Sequence, residues 1–117
     1  MQNPSPSESI FIVWSSGDPE VARNIAFMYA KNAYGHGWWQ RVRLIIWGPS
    51  ARLACEDESL RKEILGMLKD GVEVWACRAC AENYGLVAEL ESMGVDVRYM
   101  GEPITQMIRD GWRQLTF

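Results

Sequence analysis

Residues 72–80 read Val72-Glu73-Val74-Trp75-Ala76-Cys77-Arg78-Ala79-Cys80, and this stretch decides the fold. Its first five residues are mostly β-branched or aromatic, which predicts a buried strand. Apolar residues then recur at helical spacing over residues 80–93, where Gly85 is expected to bend or divide the helix. A strand that leads into a helix is the repeating unit of a parallel sheet, so both cysteines are predicted to lie where a strand ends.

The same pattern recurs on both sides of this stretch. Strands are predicted at residues 9–14, 41–47, 95–99 and 112–117, and helices at residues 19–37, 50–55, 58–69 and 103–108. In the first helix, Val21, Ile25 and Met28 are predicted to share the apolar face. Because strands and helices alternate, the sequence predicts a three-layer α/β/α sandwich around a mainly parallel five-stranded sheet.

Length and composition indicate one compact domain. The chain has 117 residues, so we predict a flexible N-terminal tail over residues 1–9 and a single domain over residues 10–117. Its 15 acidic and 12 basic residues leave a charge of −3, which argues against a nucleic-acid partner. We see no apolar run of membrane-spanning length and no secretion signal, so we expect no membrane partner and a cytoplasmic protein with reduced cysteines.

Function in a parallel α/β sheet is expected beyond the carboxyl ends of the strands, where the loops that enter the helices converge. Four loops are predicted at that edge: residues 15–18, 48–50, 77–80 and 100–102. Ser15, Ser16 and Gly17 precede a helix and, together with Gly48 and Arg78, are candidate residues for binding an anion. The glycine pattern of a phosphate-binding loop is missing, so simple helix capping is the competing interpretation.

Cys77 and Cys80 are the strongest candidate catalytic residues, because they begin a helix at this edge. Helix N-terminal amides and the charge of Arg78 are expected to favour the thiolate. Lowering a thiol pKa from about 8.5 to about 7 raises its ionised fraction at neutral pH roughly 16-fold. The lower nucleophilicity of such a thiolate cancels about fivefold of that gain, so positioning has to supply more. We therefore predict that the Cys77 thiol projects into an open hollow.

Other interpretations of the cysteines stay open. A cysteine at a strand end can be a small buried apolar side chain, and a CxxC pair between a strand and a helix can perform thiol–disulfide exchange. A zinc site would need Cys55 and His36 as its further ligands. Because Cys55 is expected in the core and His36 in a solvated turn, no metal site is predicted.

The tryptophans suggest two roles. Trp14, Trp47 and Trp75 each end a strand on the side of the cysteines, where they either pack in the core or form an aromatic wall around a thiol. Trp38 and Trp39 are adjacent in a loop, where local burial of both rings is difficult. This pair is predicted to lie at a subunit interface.

Several segments resemble the DsrE/DsrF-like family of sulfur-relay proteins. The likeness covers residues 10–117 and rests on Ser15-Ser16-Gly17 after the first strand, Gly35-His36, residues 72–86, and Leu115-Thr116-Phe117. In this family a cysteine at the spacing that separates Cys77 from Gly85 carries sulfur as a persulfide. The resemblance therefore nominates Cys77 as the carrier, and Cys80 is similar to the second cysteine of some members. It also implies a homotrimer or homohexamer, protein persulfide donors and acceptors, and no cofactor.

Three functions remain as hypotheses. The leading one is a sulfur carrier that accepts sulfane sulfur on Cys77 and passes it on as a persulfide. The second is a thiol–disulfide oxidoreductase that uses both Cys77 and Cys80. The third is a non-catalytic oligomeric module that binds a ligand or partner and keeps its thiols buried.

Overall fold

A computed structural model describes residues 4–117 of the chain. Its strands are β1 (Ser9–Trp14), β2 (Arg41–Ile46), β3 (Glu73–Cys77), β4 (Asp96–Arg98) and β5 (Arg113–Thr116). They form one sheet in the order β4-β3-β2-β1-β5, and every neighbouring pair is parallel. The predicted parallel five-stranded α/β fold is therefore confirmed.

Helices connect these strands. They are α1 (Pro19–Val21), a π-helical segment (Ala22–Ala26), α2 (Phe27–Gly35), α3 (Ser50–Glu56), α4 (Glu58–Asp70), α5 (Arg78–Tyr84), α6 (Val87–Ser92) and α7 (Gly101–Asp110). Asp18 and Asp57 cap α1 and α4 by accepting hydrogen bonds from backbone amides. Gly85 ends α5 with a φ of +69° and divides the helix predicted over residues 80–93.

Two helices differ from the sequence-based prediction. The first helix contains a π-helical segment, Ala22–Ala26, where a continuous α-helix was predicted. Ile25 and Met28, predicted to be inward, are 42% and 49% exposed, whereas Ala22 and Ala26 are buried. Helix α7 begins at Gly101, two residues before the proline predicted to open it.

The topology places the helices unequally on the two faces of the sheet. The chain steps in one direction from β1 to β4 and then returns to place β5 on the other side of β1. Since parallel crossovers are right-handed, the first three put their helices on one face and the last puts α7 on the other. Residues of α2 to α6 accordingly pack in the larger core, whereas Ile104 and Met107 of α7 pack in a smaller one.

The predicted N-terminal tail falls only partly within the described residues. Pro6–Glu8 form a 3₁₀ turn, and Ser9 is already a buried residue of β1. Residues 1–3 lie outside the description, so the predicted flexibility of the tail stays a prediction. Within residues 4–117, no helix combines the length and apolar character needed to cross a membrane.

Candidate active site

Cys77 occupies the junction between β3 and α5. It is the last residue of the strand and the N-cap of the helix, with extended backbone angles. Its Sγ accepts a hydrogen bond from the backbone N–H of Cys80 at 3.5 Å. The first N–H groups of a helix have no acceptor within the helix, and a sulfur in this position accepts a hydrogen bond from one of them.

Cys80 lies one turn further along, in contact with Cys77 and with the loop after β2. The backbone N–H of Gly48 donates to Cys80 Sγ at 3.3 Å. Gly48 has a φ of +85°, a conformation that favours glycine, and this places its amide toward the sulfur. Gly48 was predicted to bind an anion. In the structure its N–H instead donates a hydrogen bond to the sulfur of Cys80.

Burial sets the protonation of Cys80. Removal from water raises the pKa of this thiol, and its hydrogen bond with Cys77 raises it further, against the lowering effect of the Gly48 amide. The expected stabilisation of the thiolate is therefore not found at Cys80. Arg78 does not reverse this, because its guanidinium lies 3.7 Å from the carboxylate of Glu82, on the same helix.

The predicted open hollow around Cys77 is wrong for the single subunit. Cys77 is only 5% exposed, and it packs in the smaller core with Met100 and Ile104. The reason is α7, which crosses this face of the sheet and covers the end of β3. Cys80 is the more exposed of the two thiols, so it is the first sulfur that a visiting molecule meets.

The loop of Ser15, Ser16 and Gly17 meets the Gly48 loop as predicted, because a side chain added at Gly17 would contact Pro49. Three of its donors are occupied, however. The amides of Ser15 and Ser16 and the hydroxyl of Ser15 all donate to the carbonyl oxygen of Phe117. Together they anchor the segment after β5, so they are not free to bind an anion.

The three tryptophans at the strand ends lie on different faces of the sheet. Trp14 is fully buried in the larger core, where its ring meets Phe27 edge-on with centroids 4.8 Å apart. Trp47 and Trp75 are partly buried on the opposite face, in the cluster that contains both cysteines. Core packing therefore accounts for Trp14, while the other two rings border the thiols.

Cys55 and His36 take no part in this site. Cys55 is buried in the larger core, and burial raises its pKa to about 11. His36 follows α2 and stacks on Trp38 with ring centroids 5.2 Å apart. Among the described residues, no three potential ligands lie close enough together to hold a metal ion.

A group of residues that the sequence analysis missed lies on the same face as the thiols. Arg43 is 5% exposed, and its guanidinium lies 3.6 Å from the ring centre of Trp75 and 4.5 Å from that of Trp112. Arg98, paired in register with Cys77, covers Trp75 at 3.9 Å. The arginines at alternate positions 41 and 43 were a signal that both project from one face.

Comparison with known proteins identifies the family. A conserved protein of unknown function, BT1422, from Bacteroides thetaiotaomicron is 34% identical, with a TM-score of 0.92 and coverage of 99% of this chain and 100% of its own. A protein of unknown function, MTH1491, from Methanobacterium thermoautotrophicum shares the fold at 17% identity and a TM-score of 0.75, covering 93% and 97%. No curated protein matches significantly. Since the DsrE/DsrF-like family model matches residues 8–117, the chain belongs to the DsrE/DsrF-like family, which is generally associated with sulfur relay.

Proposed function

We propose that this protein carries sulfane sulfur as a persulfide on Cys77. The Cys77 thiolate attacks the outer sulfur of a donor persulfide, R–S–SH. A new bond forms between Cys77 Sγ and that sulfur, the donor's S–S bond breaks, and the donor leaves as its thiolate, R–S⁻. An acceptor thiolate then attacks the same sulfur and releases Cys77, so neither transfer requires an outside oxidant or reductant.

One observation carries the proposal. Two neighbouring sulfurs at the end of β3 each accept a hydrogen bond from a backbone N–H. Cys77 Sγ accepts from Cys80 at 3.5 Å, and Cys80 Sγ accepts from Gly48 at 3.3 Å. Backbone amides directed at a point favour negative charge there, and both the attacking thiolate and the terminal sulfur of a persulfide are anionic. Membership of the DsrE/DsrF-like family supports the same chemistry.

The low exposure of Cys77 makes Cys80 the entrance to the site. Cys80 Sγ lies between the Gly48 amide and Cys77, so a donor reaches Cys77 by displacing the Cys80 side chain or the adjacent Met100. In this scheme Cys80 positions the site but does not hold the transferred sulfur. A serine at position 80 keeps a hydrogen-bond acceptor for the Gly48 amide, so loading survives this substitution.

Loading with a persulfide donor tests the proposal. The protein is incubated with a cysteine desulfurase and cysteine, and the peptides are weighed by mass spectrometry. We expect one added sulfur on the Cys77 peptide, loss of loading in Cys77→Ser, and retained loading in Cys80→Ser. Cys55→Ser is the matched control, because it removes a buried thiol outside the site. An unmodified Cys77 peptide in the wild-type protein, with Cys80 intact, would contradict the proposal.

Thiol–disulfide exchange is a second candidate, favoured by the placement of the two cysteines three residues apart, with the Cys80 N–H donating to Cys77 Sγ at 3.5 Å. It predicts a Cys77–Cys80 disulfide that forms under mild oxidation and turns over a disulfide substrate. Substitution of either cysteine would then abolish activity, whereas the sulfur-carrier proposal requires only Cys77. The two substitutions therefore separate the candidates. A protein with neither activity, whose native Cys77 resists iodoacetamide, would be the non-catalytic module.

We also propose that the relay operates in the cytoplasm, between protein donors and acceptors, as a homotrimer or homohexamer. A groove of about 290 Å³ lined in part by Ile25, Met28 and Trp38 supports association with a second copy, because these side chains are 42%, 49% and 58% exposed. We expect light scattering to give a trimer or hexamer, weakened by Trp38→Ala. Tyr84→Ala, at an exposed ring elsewhere, is the control. A monomeric wild-type protein would contradict this proposal.

A further inference from the structure

A cleft of about 700 Å³ lies between α7 and the part of the sheet that α7 leaves uncovered. Its volume falls within the range of small-molecule sites, about 300–1,000 Å³. Neither cysteine lines it. Two sides of the cleft carry opposite charge. Arginines and Trp75 of the strands form its floor together with Trp112, which directly precedes β5, and α7 contributes acidic side chains to its wall.

The floor carries more positive than negative charge. Arg43 donates to Glu73 Oε1 through Nη2 at 2.6 Å and Nε at 2.9 Å, and Arg41 donates to Oε2 at 2.5 Å. One carboxylate thus serves two guanidinium groups, so this trio has a net charge of +1. Arg98, which also lines the cleft, has its own partner in Asp96. Arg43 is held between the rings of Trp75 and Trp112, so its position is set by packing before any ligand arrives.

The wall is acidic. Glu102, Gln106 and Asp110 line the cleft at intervals of four residues, and hence lie along one side of α7 over about 12 Å. Asp110 accepts a hydrogen bond from Gln106 at 2.8 Å. Within residues 4–117, neither Glu102 nor Asp110 forms an ion pair, although arginines line the same cleft. The space between floor and wall therefore keeps the opposite charges apart.

We propose that this cleft binds a short zwitterionic peptide. Its carboxylate lies toward Arg41, the exposed arginine of the trio, its ammonium group lies toward the acidic wall, and its planar peptide groups pack on the exposed parts of Trp75 and Trp112. An extended tripeptide spans about 10 Å and is small enough for a cleft of about 700 Å³. A purely anionic ligand would meet two carboxylates, and a purely cationic one would meet the surplus charge of the floor. This site is independent of the persulfide chemistry.

Three peptides of nearly equal size test this charge pattern: triglycine, N-acetyl-triglycine, which lacks the ammonium group, and triglycine amide, which lacks the carboxylate. Binding is followed by NMR through the indole N–H signals of Trp75 and Trp112. We expect triglycine to bind up to about fivefold more tightly than either analogue, since a partly exposed ion pair is worth up to about 1 kcal/mol. Equal affinities, or no indole shifts at millimolar peptide, would overturn the proposal.

Variants of the wall locate the site. The double variant Glu102→Gln, Asp110→Asn should lower the affinity for triglycine to that of N-acetyl-triglycine, while Glu91→Gln, on exposed α6 surface, should leave it unchanged. Both acidic residues are exposed, so the fold should tolerate their replacement. Undiminished binding by the double variant would refute the assigned orientation. Cys77→Ser should bind triglycine normally, so failure of sulfur loading and failure of peptide binding are separate results.

Discussion

Glu73→Gln should destabilise the protein markedly, because Glu73 is the carboxylate partner of the buried Arg43. Removing one member of a fully buried ion pair costs about 3–5 kcal/mol. The loss is smaller here because the Glu73 side chain is 31% exposed, the glutamine oxygen remains an acceptor, and two indole rings still attract the cation by about 0.5–2 kcal/mol. We therefore expect a loss of about 2 kcal/mol in unfolding free energy, or a fall of about 8 °C in melting temperature.

Urea unfolding at neutral pH measures this change, with two variants as references. Asp96→Asn removes the partner of the exposed Arg98 and should cost less than about 0.5 kcal/mol. The double variant Arg43→Met, Glu73→Gln leaves no buried cation. Its free energy of unfolding should therefore exceed that of Glu73→Gln alone by about 1 kcal/mol or more. If Glu73→Gln unfolds within about 0.5 kcal/mol of the wild type, a single carboxylate does not hold this cluster together, and our reasoning fails.

The remaining predictions concern a turn and two titrating groups. Gly71→Ala should cost about 2–4 kcal/mol, because its φ is +117° and a Cβ would lie 2.3 Å from the hydroxyl of Tyr34. Gly111→Ala, at φ +98° with open space around it, should cost only about 1–2 kcal/mol, and equal losses in urea unfolding would contradict the steric argument. The raised pKa of Cys80 keeps it protonated, so its iodoacetamide labelling should stay slower than that of free cysteine and keep accelerating above pH 9.0. Backbone N–H groups lower the pKa of Asp57, so its contribution to stability should be complete at neutral pH and be lost as pH falls below 3.8; an acid unfolding curve unchanged by Asp57→Asn would contradict this.

The sequence allowed the order and type of the elements to be predicted well, because local patterns carry that information. The run Val72–Ala76 reads as a strand without any partner in view, and Asp18 and Gly85 mark a helix start and a helix end. The position of Cys77 and Cys80 at the end of β3 follows from the same patterns. These features depend on residues close together in the chain, so a single sequence suffices to predict them.

Other features depended on contacts between distant segments. The burial of Cys77 depends on Met100 and Ile104, which the chain reaches only after β4. The occupied amide and hydroxyl of Ser15 depend on Phe117, more than a hundred positions away. The π-helical segment Ala22–Ala26 was not predicted either, since nothing in the apolar pattern of the first helix marks it.

By itself, the sequence determined the alternating strands and helices, the parallel sheet and the location of the thiol pair, because periodicity and capping are local properties. Only the tertiary structure decided which face of the sheet is left half covered. That depends on the position of β5 beside β1, since the right-handed crossover then places α7 alone over the thiols and the buried Arg43. The site and the cleft beside it arise from this single reversal of strand order.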